Sequence, residues 1–166
     1  MSSTRIERLR DTLLRQGRPS ITPAPWPPAE EQRAAADVLY SRLRPIAEAM
    51  YLVMAADTQI ADPERAALLG ALRILTEGKL SSAAMEAMLA EFGRDLRREG
   101  HELRLDHVAA ALYGDAADVE LALALVAAAS LADGHASEAE YATIEALADR
   151  LGLAPERVRA LIEQRD

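Results

Sequence analysis

An acidic helix-turn-helix segment occurs twice in this chain, in one register and 76 positions apart (57 to 133). The first copy reads Ala56-Asp57-Thr58-Gln59-Ile60-Ala61-Asp62-Pro63-Glu64, the second Ala132-Asp133-Gly134-His135-Ala136-Ser137-Glu138-Ala139-Glu140. Alanine, aspartate and the closing glutamate coincide, and positions 62 and 138 are both acidic. Each copy follows an apolar helical stretch, Met50 to Ala56 and Val126 to Ala132, and downstream Leu68 and Leu75 correspond to Ile144 and Leu151. A repeated supersecondary unit has an apolar face that it cannot bury alone, so its copies are constrained to pack together. The expected architecture is all-α: a compact bundle of about seven to eight helices with an internal pseudo-twofold repeat of helix-turn-helix units.

Composition agrees with that architecture. Half the residues are apolar, only 4% are aromatic, and alanine, the strongest intrinsic helix former, makes up about a fifth of the chain. Periodicity and caps place helices near 29–43, 45–57, 62–77, 81–99, 104–113, 115–132, 137–151 and 154–164. Asp62-Pro63 reads as a helix start, Ser137-Glu138-Ala139-Glu140 as a capping box, and Gly78, Gly100, Gly114 and Gly152 fall where helices should end. Ahead of the helical domain at 29–166, residues 1–28 form an N-terminal amphipathic helix and a Pro-rich linker. In the helix, Ile6, Leu9, Leu13 and Leu14 share a face; in the linker, Trp26 is the expected anchor of a strap laid across the bundle.

Charge and residue types remove several function classes. A net charge of −8 disfavours nucleic acid, whose non-specific affinity comes from lysine and arginine on phosphates. Without cysteine, thiolate zinc sites and cysteine nucleophiles are excluded. No charge-free apolar run reaches spanning length, and Arg5, Glu7, Arg8 and Arg10 stand where a signal peptide needs an apolar core, so a soluble, cytoplasmic protein is expected. The basic N-terminal helix has the charge for peripheral association with an anionic membrane, and packing of its leucines on the bundle is the other reading. No nucleophile elbow, phosphate loop or dinucleotide fingerprint occurs, and His101, His107 and His135 form no i, i+4 pair, so neither an enzyme nor a helical zinc site is expected. Partners are expected to be other proteins.

The repeated aspartates are the residues that need explaining. Each sits at the C-terminal end of a helix, where the macrodipole disfavours negative charge. A bound cation would remove the conflict, and unpaired carbonyls at the same helix end would add neutral oxygen donors suited to hard ions. The glutamates also have a purely structural explanation, because a first-turn Glu is favoured by dipole and capping alone. The seven-residue spacing matches part of an EF-hand loop, but the positions that should supply its first ligands are Val53, Ala55, Ala129 and Leu131. The motif is not an EF-hand.

Over residues 45–164 the chain resembles the TerB-like family of helical domains. The resemblance rests on the segment from Ala55-Ala56-Asp57 to Glu64, on Leu131-Ala132-Asp133-Gly134 through Glu140, and on Ala146-Leu147-Ala148-Asp149-Arg150-Leu151-Gly152-Leu153 with the following Pro155-Glu156. The chain departs from the family pattern at Thr58-Gln59, where Asp-Gly is usual, and at Ala136, where isoleucine is. The resemblance implies a non-enzymatic module for tellurite resistance or a related stress response, with Asp57, Glu64, Asp133 and Glu140 as ligands of a divalent cation. The donor set does not separate Ca²⁺, Mg²⁺, Mn²⁺ and Zn²⁺. The alternative is a metal-free helical protein-interaction scaffold whose acidic turns only cap helices.

Overall fold

The computed structural model describes residue 22, residues 25–57, residue 60 and residues 62–114, 116–130 and 137–163. The expected N-terminal helix and the middle of the second acidic turn, with Asp133 and His135, lie outside the described residues. Among the described residues the chain is all-helical, with seven helices and no strand: α1 (Gln32–Met54), α2 (Asp62–Leu75), α3 (Ser82–Glu99), α4 (His101–Leu112), α5 (Ala116–Ser130), α6 (Glu138–Arg150) and α7 (Pro155–Glu163).

Where two helices were expected around Pro45, one continuous helix runs through it. Proline cannot donate to the Ser41 carbonyl, a defect worth about 3 kcal/mol in a helix interior. On both sides of it, however, Leu39, Leu43, Ile46 and Met50 are at most 1% exposed, and full burial of each such side chain contributes about 1.5–3 kcal/mol. Packing therefore overrides the local break. α4 also begins three residues earlier than expected. Gly100, at φ 85°, turns the chain between α3 and α4 in a backbone region that L side chains rarely adopt, so one residue suffices for the corner.

α1 is the central element and packs on α2, α3, α4, α5 and α6. α5 is apolar on all sides, with Val119, Leu121, Ala122, Leu123, Leu125, Val126 and Ala127 buried, and it accordingly lies inside the bundle against α1, α6 and α7. α3 is amphipathic by contrast and turns Met85, Met88, Leu89 and Phe92 inward. Gly93, beside Phe92, allows α3 to approach α1, since a Cβ there would stand 2.9 Å from the Tyr51 hydroxyl.

The helices fall into two three-helix groups with α4 between them. α1, α2 and α3 all pack on one another, as do α5, α6 and α7. α2 begins at residue 62 and α6 at residue 138, the same offset as the sequence repeat. Arg42 and Asp118, also 76 residues apart, pair across α1 and α5, with Nε donating to Oδ2 at 3.1 Å and Nη2 bonding Oδ1. Equivalent positions that touch each other are what a twofold axis requires of the residues beside it. The groups are not equivalent: α1 has 23 residues against 15 in α5, α3 has 18 against 9 in α7, and α6 lies against α1 and α4 as well as its own group, whereas contact between α2 and α5 is marginal at most.

Candidate metal centre

Three of the four carboxylates singled out in the sequence are described, and they come from both units. α1 ends at Met54, Ala55 caps it, and Asp57 follows on the surface. Glu64 is the third residue of α2 and is exposed; Glu140 is the third residue of α6 and is half-buried. Asp133 lies outside the described residues.

Glu140 forms the expected capping box. The Ser137 N–H donates to Glu140 Oε2 at 2.7 Å, and the Glu140 N–H donates to Ser137 Oγ at 3.1 Å. Its carboxyl nevertheless holds its proton more tightly than an ordinary glutamate. Burial is the main cause; the Ser137 backbone bond works the other way, and the negative charges of Asp57 and Glu64 reinforce the upward shift. The negative charges of Asp57 and Glu64, from the first half of the chain, thus act on Glu140 in the second. Among the described residues no three histidine, aspartate or glutamate side chains are close enough to hold one metal ion between them. The hard oxygen donors fit a divalent cation chemically, and the described residues alone do not close a coordination shell around it.

The carbonyl donors expected at the end of α1 have other partners. Tyr51 O accepts from the Ala55 N–H at 2.9 Å and Val53 O from the Ala56 N–H at 3.1 Å. Leu52 O, 3.1 Å from His101 Nε2, accepts the ring N–H. The start of α4 therefore caps the end of α1, an arrangement that sequence periodicity does not reveal.

The most buried charges were not picked out in the sequence. Glu48 on α1 receives Arg104 Nε at 2.7 Å as well as Nη2, and Arg104 Nη1 donates to Glu99 at 2.8 Å and to His107 Nδ1 at 3.0 Å. Burial pushes the Glu48 carboxyl up despite the Arg104 bonds that pull it down, whereas hydrogen bonds from Arg104 and Arg98 hold Glu99 down at about 2. One signal was available: Glu48 is the charged member of the run Ile46-Ala47-Glu48-Ala49-Met50, all of which is buried, and such a charge requires a partner. An open cleft of about 260 Å³ between α4 and α6 is lined by Asp106, Ala109, Ala110, Tyr113 and Arg150. Its charged walls already pair, with Arg150 Nε donating to Asp106 at 2.6 Å.

The state of Glu140 has a measurable consequence. A carboxyl whose folded value is raised costs stability as pH rises past its ordinary value of 4.5, and the cost is complete above the raised value. Glu140→Gln keeps an acceptor for the Ser137 N–H and removes the charge. Without added cations its melting temperature at pH 7 is expected to match or exceed that of the parent, by no more than about 1 kcal/mol. The difference should shrink when melting is repeated at pH 4.

No helix among the described residues is long and apolar enough to cross a membrane. No protein-family model, curated protein or solved structure matches the chain. The fold defines the class: among the described residues, an all-helical bundle.

Proposed function

We propose that the protein is a non-enzymatic, TerB-like helical module that binds one divalent cation between its two acidic turns and acts in tellurite resistance or a related stress response. The observation that carries this reading is the Glu140 carboxyl, driven up by burial and by Asp57 and Glu64 from the other half of the chain. A cation would stabilise the ionised form of a carboxyl shifted in this way. The Arg42–Asp118 pair, which joins the middle of α1 to the first turn of α5 across 76 residues, supports a pseudo-twofold relation between the two halves. Asp133, the counterpart of Asp57 in the sequence repeat, would complete a four-carboxylate set.

The test is thermal melting of the full chain with each of the four ions after treatment with chelator. At a free-ion concentration 100 times Kd, binding to the folded state adds about 2.7 kcal/mol, which is roughly 5–10 °C for a chain of this size. Asp57→Asn combined with Asp133→Asn should abolish the gain. The capping box already occupies Glu140 Oε2, which favours the metal-free scaffold as the second reading. An unchanged melting temperature with every ion would sink the first reading and leave the second.

A further inference from the structure

α2 and α6 occupy corresponding places in the two helix groups but are covered unequally. α6 packs on α1, α4, α5 and α7, whereas α2 packs on α1 and α3. α2 turns Leu68, Ala71, Leu72 and Leu75 into the core, and its Arg65 reaches α3 by donating to Glu86 at 2.5 Å. An apolar stripe remains on the side away from α3. Ala67 is exposed, Gly70 and Ile74 are half-buried, and a Cβ added at Gly70 would meet no atom within 4 Å. Ile74, nine residues on from Arg65, points the opposite way from it. Ala67, Gly70 and Ile74 stand at the alternating three- and four-residue spacing by which one helix presents a seam to another.

The chain ahead of α1 is tied to this same helix. Thr22, only 4% exposed, donates its hydroxyl to the carbonyl of Leu75, the last residue of α2, at 3.2 Å. Trp26 is partly buried against the core, with Nζ of Lys79 5.5 Å from its ring centroid, and the Gln32 side-chain amide donates to Pro27 O at 3.3 Å. Residues 1–21 lie outside the described residues and join the bundle at this anchor. Their amphipathic stretch, residues 4–16, matches α2 in length when helical, about 20 Å for each. Residues 17–21 reach about 17 Å when extended, less than the length of α2. The stretch therefore ends near the C-terminal end of α2 and runs parallel to it.

We propose that residues 4–16 dock as a helix on the open side of α2. Ile6, Leu9 and Leu13 repeat the spacing of Ala67, Gly70 and Ile74, so in the parallel arrangement Ile6 meets Ala67, Leu9 meets Gly70 and Leu13 meets Ile74. Large side chains set against small ones let two helices approach closely and leave no void. Charge acts in the same direction. The segment carries Arg5, Arg8, Arg10, Arg15 and Arg18 against Glu7 and Asp11, whereas the chain as a whole has a net charge of −8, so the field of the bundle attracts it. The occupant of the α2 face is thus this chain's own N-terminal segment, and its docking requires no bound cation.

Hydrogen exchange of the full chain, resolved by peptide mass, tests the docking. Amides of residues 6–13 are expected to exchange about tenfold or more slowly than those of an unstructured chain, at every protein concentration. Ala67→Glu combined with Gly70→Glu should abolish that protection while α3 keeps its own. If this double variant unfolds the bundle, Ala67→Glu alone, at an exposed position, should lower the protection in the same direction. Leu9→Glu with Leu13→Glu should in turn speed exchange within residues 66–74 and leave α3 unchanged. Unprotected amides at 6–13 in the parent, or protection that survives the α2 variants, overturn the proposal. Protection that grows with protein concentration gives the face to a second copy, and protection that appears only with anionic phospholipid vesicles gives the segment to a membrane. Either outcome also overturns it.

Discussion

Replacing Arg104 with alanine is expected to destabilise the protein by roughly 3–5 kcal/mol, the cost of leaving a buried ion without its partner. The Arg104 and Glu48 side chains are 10% and 5% exposed, so the carboxylate left behind cannot be rehydrated without disturbing α1. At roughly 2–4 °C per kcal/mol for a chain of this size, the melting temperature should fall by about 6–20 °C. Replacing both partners, as in Glu48→Leu with Arg104→Leu, should recover most of the loss, because apolar groups of similar volume often replace a buried pair without penalty. A single and a double variant measured by urea denaturation decide the point; equal losses in both would contradict it. The same cluster gives a pH dependence. Glu99 is held at about 2 by its bonds to Arg104 and Arg98, so its stabilising contribution is complete above its ordinary 4.5 and disappears as pH falls through about 2.

Phe92→Ala is the second large loss. The chain has one phenylalanine, it is 1% exposed, and truncating a buried phenylalanine costs about 3–5 kcal/mol in transfer energy and cavity. Its ring lies 5.8 Å from that of Tyr51 at 60°, and the Arg44 guanidinium carbon is 5.7 Å from its centroid. The variant therefore removes contacts to two α1 side chains at the point where Gly93 brings α3 close. Phe92→Leu keeps most of the volume and should cost less than half as much. Chemical denaturation of both variants tests this, and a loss below about 1 kcal/mol for alanine would mean that the site collapses or fills.

These two sites differ in how readable they were. Phe92 belongs to the stripe Met85, Met88, Leu89, Phe92, whose helical spacing alone predicts a buried face. Arg104 and Glu48 lie 56 residues apart, and no local pattern joins them. The caps were legible because they are local: Ser137 and Glu140 close their box as expected, and Gly78, Gly100, Gly114 and Gly152 all carry positive φ. Pro45 was misread for the opposite reason. Its local cost is real, but burial of Leu39, Leu43 and Ile46 around it is decided by the whole bundle.

The candidate site is intermediate. The repeat pointed to Asp57, Glu64, Asp133 and Glu140 together; in the fold the charges of Asp57 and Glu64 act on Glu140, and Asp133 lies outside the described residues. The sequence could not say that the α1 carbonyls would be taken by Ala55, Ala56 and His101, because the last of these arrives from α4. Any cation must therefore rely on carboxylates and water more than on backbone oxygen.

The central claim is that one cation is shared by two turns 76 residues apart. Paramagnetic broadening by Mn²⁺, read from amide signals of the full chain, tests it most directly. Signals around Asp57, Glu64, Asp133 and Glu140 are expected to vanish together at one low Mn²⁺ concentration, and excess Mg²⁺ to restore them. Broadening confined to one turn, or spread evenly over surface carboxylates such as Glu102 and Asp106, would contradict it.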